Sequence, residues 1–168
     1  ISVSGMWMQQ LAQGWLVFEL THSELSLGIV TFAAGISSLF LSPFAGVIVD
    51  RFSRRSLLLF TQTIQMILAF ILTALVFTDV VQVWHIVVLT FVLGLTRCLD
   101  APARQAFIKD MVGQEDMASG ITLNSIMVNG GRVIGPSMAG VVLASLGAEW
   151  CFFINGITFL AVLFSLLI

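Results

Sequence analysis

An all-α membrane protein with six crossings is the fold class that this sequence predicts, on three observations: charge is scarce, mean hydropathy is high, and the few charges recur at regular intervals. Charged residues make up 10% of the 168-residue chain and hydrophobic ones 58%, and the mean hydropathy is +1.06. A soluble domain carries about 25% charged residues, so this chain lacks the polar surface that water requires. The same figures exclude a disordered chain, a nucleic-acid-binding domain and a secreted disulfide scaffold. The first partner implied is the lipid bilayer, and nucleic acid is not a partner.

Crossings of about 20 apolar residues each fit six times into the chain with room for short connections. Ile1 to Phe18 carries no charge and is read as a first helix over 1–19 whose beginning is missing. It has no basic leader and no starting methionine, so a signal peptide is a poor description. The 25 uncharged residues between Glu24 and Asp50 give a second helix over 25–49, and the 23 between Arg55 and Asp79 a third over 56–78. Val80 to Thr96 is clean, which places the fourth helix over 81–103, ahead of a charged patch from Arg97 to Asp116. Arg132 is the only charge from Met117 to Ala148, giving a fifth helix over 117–147, and Trp150 to Ile168 has none, giving a sixth over 150–168. Barrel strands would need alternating segments of about 10 residues separated by turns; long continuous runs require helices instead.

Lys and Arg set the orientation. Arg51, Arg54 and Arg55 follow the second helix, and Arg104 and Lys109 follow the fourth with Arg97 in snorkelling reach. The opposite connections hold Glu19, His22 and Glu24, then Asp79, then Glu149, without Lys or Arg. The even-numbered exits, the N-terminus and the end of the sixth helix are therefore expected on the cytoplasmic side. Cys98 and Cys151 fall at opposite ends of their helices and read as packing residues.

Enzymatic chemistry finds no footing. His22 and His85 lack nearby Cys or carboxylate groups at metal-ligand spacing. Asn129 to Gly135 looks superficially like a phosphate loop, but Pro136 stands where the lysine is needed. No nucleophile and base can be paired, and no cofactor or metal is implied.

Polar residues inside the spans are the candidate site. A lone arginine at the bilayer centre costs at least about 2.5 to 3.5 kcal/mol, so Arg132, near the middle of the fifth helix, must face protein or water. It is read either as bonded to neighbouring helix carbonyls or as lining a cavity for an anionic or polar solute; Asn124 and Asn129 precede it on the same helix. The first helix offers Gln9, Gln10 and Gln13, with Gln9 and Gln13 sharing a face at i, i+4. These glutamines either line the same cleft or act as interhelical hydrogen-bond glue.

Two motifs remain. Gly46-Val-Ile-Val-Asp50-Arg51-Phe-Ser-Arg54-Arg55 closes the second helix and turns at once into the third. Its arginines anchor the cytoplasmic end, while Asp50 among them suggests a switchable charge network in which Arg54 and Arg55 reach Asp100. Gly131 to Gly140 combines small residues at i, i+4 with Pro136, which removes a backbone hydrogen bond. It predicts close approach to a partner helix on one face, with a bend.

Gly46 to Arg55 resembles the loop signature of the major facilitator superfamily, G-x-x-x-D-R-x-G-R-R, between the second and third helices. Gly131 to Gly140 is similar to the fifth-helix G-x-x-x-G-P-x-x-[GA]-G signature of its exporters and antiporters. Leu20-Thr21-His-Ser23 with Leu27-Gly28, Ala101-Pro102-Ala103-Arg104-Gln105, and Ala118 to Asn124 before Arg132 resemble the enterobactin-exporter-like branch, the transmembrane secretion effectors. The resemblance implies the N-terminal six-helix half of a twelve-helix transporter whose halves rock around a central site. It implies export of a small organic solute, siderophore- or drug-like, by alternating access, with protons and a C-terminal half as further partners. Importers or symporters of the same fold, and a non-transporting membrane scaffold, are the alternatives.

The resemblance further implies that Gly46, Asp50, Arg51, Arg54 and Arg55 form a cytoplasmic gating loop, with Asp50 meeting a helix end of the other half and Arg51 and Arg54 tied to acids such as Asp100. Gly131, Gly135, Pro136 and Gly140 would carry the bend and packing of the fifth helix. Gln9, Gln13, Asn124, Asn129 and Arg132 are the candidates for the substrate cavity. In two places the sequence departs from the pattern. Ser53 replaces the loop glycine, and Thr90 stands where proton-linked members often carry an arginine.

Overall fold

The computed structural model describes residues 2–112 and 117–167. These fold into six helices and no strand: α1 (Ser2–Thr21), α2 (Glu24–Arg51), α3 (Arg54–Phe77), α4 (Val83–Val112), α5 (Met117–Ser145) and α6 (Ala148–Leu167). Five of them, α2 to α6, are long and apolar enough to cross a membrane. The exception is α1, whose hydropathy is lowered by Gln9, Gln10 and Gln13.

The largest departure from the expected boundaries is α4, which continues past Pro102 into the charged patch as far as Val112. Hydropathy reports only where a helix is apolar, not where it stops. Arg104 bonds back to Asp100 at 2.9 Å with i, i+4 spacing and supports the turn beyond the proline.

Only Phe52 and Ser53 separate α2 from α3. Ser53 has φ of −63° and its hydroxyl accepts from the Ser56 amide at 3.3 Å. The signature glycine is therefore not needed for backbone freedom here, and serine adds a helix N-cap. At the opposite end of the bundle, left-handed residues make the connections: His22 (φ 47°), Asp79 (φ 54°) and Gly147 (φ 104°). A side chain at Gly147 would also sit 2.6 Å from the Glu149 carboxylate.

The helices pack chiefly as pairs, α2 on α4, α3 on α6 and α1 on α5, with α3 also on α4 and α1 on α6. Small residues set the closest approaches. A Cβ on Gly135 would lie 2.5 Å from the Ser4 carbonyl oxygen and 2.6 Å from Trp7 Cβ, and one on Gly94 would lie 2.9 Å from the Ala34 carbonyl oxygen. The main core gathers Met8, Ala12, Leu16 and Val17 of α1 around Leu72, Ile86 and Phe152. Outside it, Phe32, Phe40 and Phe44 of α2 and Leu123, Ile126, Val133 and Val141 of α5 turn outward, an apolar exterior suited to hydrocarbon.

Candidate functional site

The end of the bundle that carries the arginines is tied together through α3. Arg54 Nη1 donates to Asp110 Oδ2 at 2.6 Å, and Arg55 Nε donates to the Leu166 carbonyl oxygen at 2.7 Å. The first residues of α3 are thus joined to the ends of α4 and α6. Asp50 and Arg51 are exposed, and among the described residues neither forms an ion pair.

Asp100 is not the partner of Arg51, Arg54 or Arg55, contrary to expectation. It is buried, and accepts from Gln62 Nε2 at 2.6 Å, Thr61 Oγ1 at 3.1 Å and Arg104 Nη2 at 2.9 Å. The antiparallel run of α3 and α4 explains the difference: because α4 extends past Pro102, Asp110 draws level with Arg54, while Asp100 lies deeper, level with Thr61 and Gln62.

On its other flank α4 borders a cavity of about 490 Å³ that lies between α1, α4 and α5 and is partly open. Its polar lining is Gln10, Arg97, Asp100, Arg104, Gln105, Asn124, Ser125 and Asn129, and its apolar wall includes Val3, Met6, Trp7 and Val128. The volume falls within the roughly 300 to 1,000 Å³ of small-molecule sites. A second cavity of about 410 Å³ shares Gln105, Asn124 and Ser125 with it and carries Lys109. A third, of about 120 Å³, shares Gln10 and Arg97 and continues between α1, α2 and α4 past Gln9, Gln13 and Thr90. Arg97 is thus common to the large and the small space.

The cavity candidates divide. Asn124 and Asn129 line the large cavity. Gln9 and Gln13 are buried and bonded across helices: Asn155 Nδ2 donates to Gln9 Oε1, and Gln13 Nε2 donates to Thr90 Oγ1. They act as hydrogen-bond glue while bordering the small cavity. Arg132 is exposed and lines neither space. It follows Ser125 and Asn129 on the same face of α5, and its guanidinium lies 5.3 Å from the Trp7 ring centroid, a cation–π arrangement.

Within the fifth-helix motif, Gly131 and Gly135 meet α1, where added side chains would come within 2.7 Å of Val3 and 2.5 Å of Ser4. Gly140 and Gly46 face open space. Pro136 lies inside a continuous α5; lacking an N–H, it leaves the Arg132 carbonyl without its usual helical donor.

Sequence reasoning did not place Arg97, Arg104 and Gln105 at the cavity, and it put Gln9 and Gln13 ahead of Gln10. A signal existed: Arg97, Asp100 and Arg104 recur at i, i+3 and i+7, one face of a helix. Their place at the edge of the apolar run made them look like interfacial anchors.

Comparison with known proteins agrees with this architecture. The family model described as transmembrane secretion effector matches residues 1–168. The chain is 30% identical to the staphyloferrin A transporter of Staphylococcus aureus (strain NCTC 8325 / PS 47) over 164 residues, covering 96% of this chain and 41% of that protein. It is 26% identical over 156 residues to the MFS-type transporter YfiS of Bacillus subtilis (strain 168), covering 92% and 36%. Against multidrug resistance protein 2 of the same organism it is 29% identical over 131 residues, covering 78% and 31%. No solved structure matches the chain. This chain therefore spans well under half the length of these curated relatives. A whole-length family match and six packed helices establish that the chain belongs to the transmembrane secretion effectors of the major facilitator superfamily.

Proposed function

We propose that this chain forms the N-terminal half of a twelve-helix exporter that moves a small organic solute, siderophore- or drug-like, out of a bacterial cell by alternating access in antiport with protons. The observation that carries the reading is the 490 Å³ cavity between α1, α4 and α5, with polar groups and Trp7 on its walls. In a membrane bundle such polar lining is costly unless a solute or water uses it. The second cavity, which reaches Lys109, gives this site an approach from the arginine-bearing end, the end assigned to the cytoplasm by its Lys and Arg content. A siderophore is favoured by the likeness to the staphyloferrin A transporter, and a broader amphiphile by the likeness to multidrug resistance protein 2. In this reading the Gly46 to Arg55 loop closes the cytoplasmic side, with exposed Asp50 free to meet a second half.

Everted membrane vesicles containing the intact transporter test the reading, with radiolabelled staphyloferrin A as the first probe and ethidium as the second. Energised vesicles should accumulate at least one probe beyond protein-free controls, and a protonophore should abolish the accumulation. No accumulation of either overturns the export reading; accumulation that persists with the proton gradient collapsed overturns antiport.

A further inference from the structure

We propose that Arg97 is the anchor of a carboxylate-binding subsite in the large cavity, selecting solutes that join one carboxylate to an apolar or aromatic body. The inference rests on the transporter reading above and goes beyond it in naming the group and the ligand class. Among the described residues the ion pairs are Arg54 with Asp110 and Arg104 with Asp100. Asp100, which also lines the cavity, accepts from Thr61 and Gln62 of α3 and from Arg104 of α4. Among the described residues no carboxylate lies within ion-pair distance of Arg97, and its Nε is buried without a hydrogen-bond acceptor. The cavity wall consequently holds Arg97 and Arg104 against Asp100 alone, an excess of positive charge.

A guanidinium in low-dielectric surroundings is stabilised most by an anion it can bind in bidentate fashion. Across the cavity, Asn124 has an unpartnered buried side-chain oxygen, which can accept from a hydroxyl or amide of the bound solute. Trp7, Met6 and Val128 supply an apolar face for the remainder. Lys109, in the adjoining cavity, lies along the approach and favours anions on the way in. Arg132, outside the lining, is already engaged by the Trp7 ring and is not the anchor.

The test is equilibrium binding of radiolabelled salicylate to the intact transporter in phosphatidylcholine nanodiscs, with salicylamide as the uncharged competitor of similar shape. Salicylate should bind saturably and salicylamide should compete at least about tenfold less well, as expected for loss of a charged hydrogen bond. Arg97→Gln should weaken salicylate by a similar factor, Arg97→Lys by less, and Arg132→Gln should leave binding unchanged. Equal competition by salicylamide, or unchanged affinity in a folded Arg97→Gln protein, overturns the proposal. If Arg97→Gln fails to fold, the comparison of salicylate with salicylamide on the unsubstituted protein decides. Loss of binding on adding phosphatidylglycerol would assign the guanidinium to a lipid headgroup and also overturn it.

Failures of the two readings are separable. Charge-dependent salicylate binding without uptake by everted vesicles upholds the subsite and sinks transport. Probe uptake with no preference for salicylate over salicylamide upholds transport and sinks the subsite.

Discussion

The two flanks of α4 treat polar groups in opposite ways. Toward α3, the buried Asp100 carboxylate is bonded by Thr61 and Gln62, with Arg104 of α4 itself as a third donor. Toward α1 and α5, Arg97, Gln10 and Asn124 surround open volume, and atoms of Arg97 and Asn124 lack partners. Only two residues lie between Arg97 and Asp100, yet one flank is a structural joint and the other borders open volume. The contrast teaches that polarity in a membrane helix does not by itself mark a binding site. Function is to be sought where unsatisfied polar groups border space, because lack of a partner alone does not mark it: Gln62 Oε1 and both side-chain polar atoms of Gln65 have none in the packed interior of α3.

Single substitutions put that contrast to the test. Asp100→Ala should have the largest effect, about 2 to 3 kcal/mol of lost stability, because a half-buried Arg104 loses its carboxylate and Gln62 its acceptor. Thermal unfolding in detergent measures it, and a stability equal to the unsubstituted protein would erase the distinction between the flanks. Gly135→Leu comes next, at about 2 kcal/mol from overpacking against Ser4 and Trp7. Gly140→Leu, where nothing lies within 4 Å, should change stability by less than about 0.5 kcal/mol; equal losses at the two glycines would mean that the open face is covered in the whole protein.

Gln13→Leu should cost only about 0.6 kcal/mol, the average for a side-chain hydrogen bond inside a membrane bundle, since Thr90 keeps its bond to the Ile86 carbonyl. A loss of solute binding as large as that of Arg97→Gln would move Gln13 from the joint to the flank that borders open volume. The smallest effect belongs to Arg54→Gln. Its pair with Asp110 has side chains 42% and 48% exposed, so stability should fall by no more than about 0.5 kcal/mol, with any larger consequence confined to gating and visible as altered labelling of cysteines placed at the arginine-bearing end.

The fold was readable because charge spacing and apolar run length are one-dimensional quantities: a membrane fixes how many apolar residues a helix needs, and the six helices follow from counting. The close contact of α5 with α1 was readable in part from Gly131 and Gly135, since small residues four apart make a flat strip for a neighbour. The extent of α4 was not, because hydropathy is silent beyond the apolar run.

What the sequence alone determined is the number of helices, the clustering of arginines at one end, and the motifs that identify the family. Which polar side chain faces space depends on how the helices pack. Gln9 and Gln10 are adjacent in sequence, but consecutive helical residues point about 100° apart; one bonds to Asn155 in the packed interior and the other lines the cavity. The rotation of each helix about its axis is set by how its surface interlocks with neighbours far away in sequence. For that reason the arginines lining the cavity are Arg97 and Arg104 rather than Arg132.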